Sequence, residues 1–214
     1  MEELYEAFQL ERITKSPAVF DKTKLSWMNG QHLRALPVET SKGMIGEQLV
    51  GCGLLASNQG PLVDALVACV QNNLELVADA EKEVRPLLGF PLAETMASGG
   101  ASKVVEDEYG EIVTAVVEGF ESGALPGAIA AGDFKGWVNG VGKALGRKGK
   151  RLFMPMRIAL TGRMQGPDVG EVLSILALAE GQVTEEGALM LLPERVAALK
   201  AWAAEAGMLE KVSA

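Results

Sequence analysis

A chain of 214 residues that is 48% hydrophobic and 22% charged is long enough to bury a substantial core in one or two domains. Its 5% aromatic content beside abundant Ala, Leu, Val and Glu favours helix over strand, and no apolar run approaches the roughly 20 residues of a membrane-spanning helix. The formal charge of −8 argues against a surface that is basic throughout.

In chain order, Glu2–Leu10 reads as a short helix interrupted by Thr14-Lys15-Ser16-Pro17. Asp21 or Thr23 suits the cap of a second helix with Leu25, Met28 and Leu33 on one face, and Pro37 ends that unit. Helix is expected again from Thr40 through Leu49. Pro61 then opens another, with Leu62, Ala65, Leu66, Cys69 and Val70 inward. A further helix runs through Leu76–Leu88. Met96–Ser102 is rich in Gly and Ser and is the best internal linker candidate. Beyond it, Ile112, Ala115, Val116 and Phe120 form a stripe closed by Gly123 and Pro126, and Asp133 suits the cap of a helix through Trp137, Val141 and Leu145. Asp168 starts a helix with Val172, Leu173, Leu176 and Ala179 inward. Pro193 opens the last one, carrying Val196, Leu199, Trp202 and Ala203, with Gly207 as its C-terminal cap. No period-2 strand stands out, so the expected fold is all-α in two or three helical layers.

Signals for covalent chemistry are missing. The single His32 lacks the partners of a nucleophilic triad, and no phosphate-binding loop or dinucleotide fingerprint is present. Cys52 and Cys69 stand outside any CxxC pattern, which favours free, buried thiols and a reducing compartment over a disulfide or metal site. The acidic run Glu106-Asp107-Glu108 reads as a solvated helix entry. Met1-Glu2-Glu3 does not read as a signal or transit peptide.

One stretch departs from the acidic average. Between Lys143 and Arg163 lie Lys143, Arg147, Lys148, Lys150, Arg151, Arg157 and Arg163, with no acid among them. Local potential decides where phosphate lands, so an acidic body with one basic stretch is compatible with RNA binding. Lys148, Lys150 and Arg151 lie in a glycine-broken stretch that suits phosphate contacts. Arg157 sits in an otherwise apolar helical segment. A lone guanidinium there either stacks on and bonds a base through its planar donors or makes a structural ion pair.

Two segments resemble bacterial and organellar glutamyl-tRNA synthetases. The first is Leu10-Glu11-Arg12-Ile13-Thr14-Lys15-Ser16-Pro17-Ala18-Val19-Phe20-Asp21 with Lys24-Leu25-Ser26-Trp27-Met28-Asn29-Gly30. The second is Lys148-Gly149-Lys150-Arg151-Leu152-Phe153-Met154-Pro155-Met156-Arg157-Ile158-Ala159-Leu160-Thr161-Gly162, similar to the family's C-terminal anticodon-reading segment. The family's His-Ile-Gly-His and Lys-Met-Ser-Lys-Ser type motifs are absent. Gln165 replaces the His that often precedes Gly-Pro, and His32 stands where an aromatic is frequent.

The resemblance implies a helical cage: residues 1–38 as the end of a stem-contact region, and residues 39–98 and 99–214 as two anticodon-binding subdomains. It implies RNA contacts from Lys148, Lys150, Arg151, Met154, Pro155, Arg157, Gly162, Pro167 and Val169. Met154, Pro155, Pro167 and Val169 would shape an apolar pocket or simply pack the core. Gly162 would end its helix and turn backbone amides toward the RNA. Trp27 and Asn29 are expected as a packing anchor and a cap. The partner implied is a glutamate-accepting tRNA, bound by a monomer that engages neither DNA nor membrane, in a bacterial cytoplasm or an organelle stroma. The parent enzyme would be a glutamate–tRNA ligase using ATP with Mg. This chain would hold no cofactor or metal and would be inactive alone. The rival expectation is a synthetase-derived helical scaffold that binds a protein.

Overall fold

The computed structural model describes residues 6, 8 and 19–208. The expected helix over Glu2–Leu10, the break at Thr14–Pro17 and the front half of the first family-like segment lie outside the described residues, apart from isolated positions. Within the described residues there are twelve α-helices and no β-strand, only an isolated bridge between Leu55 and Val183. None of these helices is by itself long and apolar enough to cross a membrane.

Helix α1 (Lys22–Ala35) opens at Asp21, whose carboxylate accepts from the Lys24 amide at 3.1 Å. It ends at Leu36, held extended by the following Pro37. Its contacts differ from the expected apolar face. Only Gly30 and Leu33 are buried, while Leu25, Trp27 and Met28 face outward, so Trp27 is no packing anchor. Asn29 donates to the Glu75 carbonyl rather than capping a helix, and Arg34 donates to the Leu74 carbonyl at 3.2 Å. The helix docks on the chain after α3 by one narrow, partly polar edge, a geometry that helical periodicity of apolar residues does not report.

Helices α2 (Val38–Gly51), α3 (Pro61–Val70) and α4 (Ala80–Leu88) pack through Ile45 and Leu49, Leu62, Leu66 and Val70, and Val84 and Leu88. Helix α2 starts at Val38, two residues before the expected Thr40, because Pro37 itself supplies the N-cap position. The Gly/Ser stretch at 96–102 is folded, not free. It joins α5 (Leu92–Ala97) to α6 (Ser102–Val105), and Ala101 within it is fully buried. Cys52 and Cys69 are free and half-buried, and burial pushes the Cys69 thiol up to about 11, which keeps it protonated and unreactive.

The remaining helices are α7 (Tyr109–Glu121), α8 (Ala124–Ala130), α9 (Phe134–Ala144), α10 (Lys150–Thr161), α11 (Val169–Ala179) and α12 (Leu192–Glu205). Asp133 and Asp168 cap α9 and α11 as expected, accepting from Gly136 and from Gly170 and Glu171. Pro126 does not close α7 but sits in the first turn of α8, where a missing amide costs nothing. Helix α7 packs against both α10 and α12, with Ile112, Val113, Val116 and Val117 buried and the Tyr109 ring edge-on to Trp202 at 6.0 Å. A single hydrophobic cluster extends from Leu33 to Ala203.

One buried cation lies at the meeting point of three helices. Arg195, 1% exposed near the start of α12, donates to the carbonyls of Met190 (2.7 Å), Leu160 (3.2 Å), Leu87 (2.8 Å), Leu88 (2.9 Å) and Gly89 (2.8 Å). Its guanidinium also lies 5.5 Å from the centre of the Phe90 ring. Leu87 and Leu88 end α4 and Leu160 is near the end of α10, so the cation sits at two helix C-termini, where the helix dipoles favour positive charge. Burial draws the guanidinium down to about 10, which still leaves it charged at neutral pH. Replacing Arg195 with Ala removes the donor from these carbonyls, of which Leu88 keeps the Met190 amide, and should cost about 3–5 kcal/mol of stability, since each buried acceptor left without a partner costs roughly 1–3 kcal/mol. Arg195→Lys should recover only part of that, because three ammonium donors cannot serve five carbonyls. Urea unfolding of both variants checks this; a loss below about 1 kcal/mol for Arg195→Ala would show that the carbonyls find other donors.

Candidate nucleic-acid interface

The basic stretch builds the loop 145–149 and helix α10. Gly142 in α9 lets the loop fold back tightly: a Cβ there would lie 2.8 Å from the Arg147 carbonyl. Gly149, at φ 57°, forms the turn that opens α10. Along α10, Leu152, Pro155, Met156 and Ile158–Thr161 are buried, whereas Lys150, Arg151 and Phe153 are exposed and Met154 and Arg157 half-buried.

The seven cations do not act alike. Arg147 is 6% exposed and structural: it bonds the Glu111 carboxylate at 3.0 and 3.2 Å and the Asp107 carbonyl at 2.8 Å. Arg151 forms a two-pronged pair with the Asp107 carboxylate, with Nε to Oδ2 at 2.8 Å. The acidic run before α7 is therefore not merely solvated, since Asp107 and Glu111 neutralise two of the expected cations. Lys143, Lys148 and Lys150 are exposed and have no ion-pair partner among the described residues. Sequence alone gave no sign of the pairing, because the acids lie 36–44 positions upstream of their partners.

Arg157 and Pro167 come together. Arg157 Nη1 donates to the Pro167 carbonyl at 2.7 Å, tying α10 to the turn before α11. Arg157 and Val169 also border a cleft of about 640 Å³ between α9, α10 and the start of α11, together with Phe134, Lys135, Phe153 and Met156. Phe153 and Lys135 were not singled out in the sequence. The available signal was the helical spacing 150, 153, 157, which puts Lys150, Phe153 and Arg157 on one face of α10.

The other expected contacts are placed differently. Pro155 lies inside α10 and is buried, Met154 packs against the core, and Val169 is 7% exposed. Gly162, at φ 68°, ends α10 as expected. Its amide, however, donates to the Ile158 carbonyl at 2.8 Å, and its own carbonyl accepts from the Thr95 hydroxyl. A Cβ on Gly162 would sit 3.0 Å from the backbone nitrogens of Pro91 and Leu92. Gly162 therefore serves close packing against α5, and its amide does not face outward. Among the described residues, no cluster of His, Cys, Asp and Glu could hold a metal ion.

A family model, that of the anticodon binding domain, matches residues 35–180, and the chain belongs to that family. Within it, the chain is similar to glutamate–tRNA ligases, as the two sequence segments indicate. It is 33% identical over 188 residues to the glutamate–tRNA ligase of Halalkalibacterium halodurans, covering 82% of this chain and 36% of that protein. It is 34% identical over 185 residues to that of Listeria innocua, covering 83% and 36%. The crystal structure of a glutamate tRNA ligase from Elizabethkingia meningosepticum shares the fold, with a TM-score of 0.65 at 18% identity over 92% of this chain and 36% of that one. The chain thus spans about a third of the length of the relatives it matches.

The Asp107–Arg151 pair gives a pH signature. The Arg151 guanidinium, with a lesser contribution from Arg147, holds the Asp107 carboxyl below its ordinary value. A carboxylate lowered in the folded state stabilises the fold at pH values above its unfolded pKa, and that contribution fades as pH falls through the folded value. Wild type should therefore melt slightly higher than Asp107→Asn at neutral pH, and the two melting curves should converge on acidification below the ordinary Asp range. Thermal scans at several pH values test this, and a gap that stays constant to low pH would exclude it.

Proposed function

We propose that this chain binds a glutamate-accepting tRNA on the face made by loop 145–149, α10 and the turn before α11, and reads an anticodon base with Arg157. The supporting observation is the position of Arg157: half-buried at the edge of a cleft with an apolar wall of Phe134, Val138 and Met156, with one guanidinium nitrogen bonded to Pro167 and further planar donors remaining. An unstacked base in an RNA loop is recognised by such a combination of a flat donor group and an apolar wall. Lys148 and Lys150, exposed beside it, supply phosphate contacts. Pro167 and Val169 shape the recognition turn, while Met154, Pro155 and Gly162 act through the packing that holds α10 in place.

In the longer protein that the relatives suggest, glutamate would be joined to this tRNA with ATP and Mg held by other sequence. The segment 1–38 would be the end of a stem-contact region, and residues 39–98 and 99–214 would form the two anticodon-binding subdomains. A monomer without cofactor, acting in a bacterial cytoplasm or organelle stroma, is the corresponding state.

Filter binding with tRNA transcripts at two or more salt concentrations tests the reading. Lys148→Ala and Lys150→Ala should each lower the salt slope by about 1. Arg151→Ala should change it less, since phosphate must first displace Asp107. Arg157→Ala should cost about 1–3 kcal/mol on the glutamate tRNA and much less on one with an exchanged anticodon, and Arg157→Lys should not rescue it. Equal losses on both tRNAs would make Arg157 a nonspecific contact. An unchanged affinity with a lowered melting point would leave it only the Pro167 bond.

A further inference from the structure

Helix α10 presents a stripe that the function above does not yet use. Phe90, Phe120 and Phe134 lean on the core, but Phe153 keeps 42% of its surface exposed. It stands on the same helix face as Lys150, three residues before it, and Arg157, four residues after it. Helical rise separates these side chains by about 4.5 and 6 Å along the axis. Phe153 also borders the cleft that holds Arg157, with Lys135 on the facing helix α9.

A lone exposed apolar side chain has no significance by itself. Here the ring lies between two cations and beside an open cleft whose wall is apolar at Ile129, Phe134, Val138 and Met156 and acidic at Asp168 and Glu171, at the start of α11. Cations along the phosphates and an aromatic face for a base are the combination by which single-stranded nucleic acid is held. We propose that Phe153 is a stacking platform for an unpaired base of the bound RNA loop, next to the base contacted by Arg157. This inference rests on the tRNA-binding reading and adds a residue to it. The ring supplies affinity with little choice among bases, since every base offers a π-face, whereas Arg157 supplies the choice.

The test compares Phe153→Ala, Phe153→Leu and Phe153→Trp in the full chain. The probes are a glutamate-accepting tRNA transcript and the same RNA carrying abasic nucleotides through the anticodon loop. Stacking predicts that Phe153→Ala weakens binding of the intact RNA about 5- to 150-fold, the range of one lost base–aromatic stack. The abasic RNA should lose almost nothing. Phe153→Trp should bind as wild type, Phe153→Leu should resemble Phe153→Ala, and the salt slope should not move, because no counterion is released by a neutral ring. Melting points should stay within a degree or two of wild type, since the side chain is on the surface. Full binding by Phe153→Ala or Phe153→Leu, or an equal loss on intact and abasic RNA, would overturn the platform while leaving tRNA binding intact. Failure of the wild-type chain to bind either RNA would overturn both.

Discussion

The guanidinium of Arg195 fixes the relation between the helices that make the core and the helix that makes the site. Two helices, α4 and α10, end close together and turn the carbonyls of Leu87, Leu88 and Leu160 toward one guanidinium. Such ends repel and would each need water. A buried cation that accepts both sets of carbonyls turns that conflict into an attraction and places α12 over the junction. The charge needs no carboxylate, because five carbonyl oxygens and the face of Phe90 take the place of its water.

The consequences run outward along the chain. With the end of α10 held, Gly162 can turn the backbone against α5, and the segment after it returns so that the Pro167 carbonyl meets Arg157. That bond ties α10 to the turn before α11 at the edge of the cleft. Arg157 is thus held by its own helix and by the Pro167 carbonyl, and the cleft it borders also carries Asp168 and Glu171 at the start of α11.

Charge shows the same division between core and surface. Arg147 and Arg151 reach back to Asp107 and Glu111 and pin loop 145–149 to the entry of α7, leaving the lysines to face solvent. Guanidinium groups suit the fixed, two-pronged contacts and ammonium groups the exposed ones, as their geometries dictate. An acidic protein thereby presents a small positive surface without exposing every cation in its basic stretch, and the cations that stay paired hold the loop from which the free ones project.

Much of this was legible in the sequence because it is local. Helical spacing identified α3, α7, α11 and α12, and Asp21, Asp133 and Asp168 announced their caps, since a cap bonds amides only two or three residues away. The segment Lys148–Gly162 carried the family and placed Arg157 on α10. Tertiary structure alone decided which cations remain exposed, that α1 docks by Asn29, Gly30, Leu33 and Arg34 instead of an apolar stripe, that Gly162 turns inward, and that Arg195 is a buried anchor. Each of these depends on a carbonyl, carboxylate or helix end tens of residues away. A side chain's type and spacing state what it can bond, but only the fold brings a particular partner within 3 Å of it.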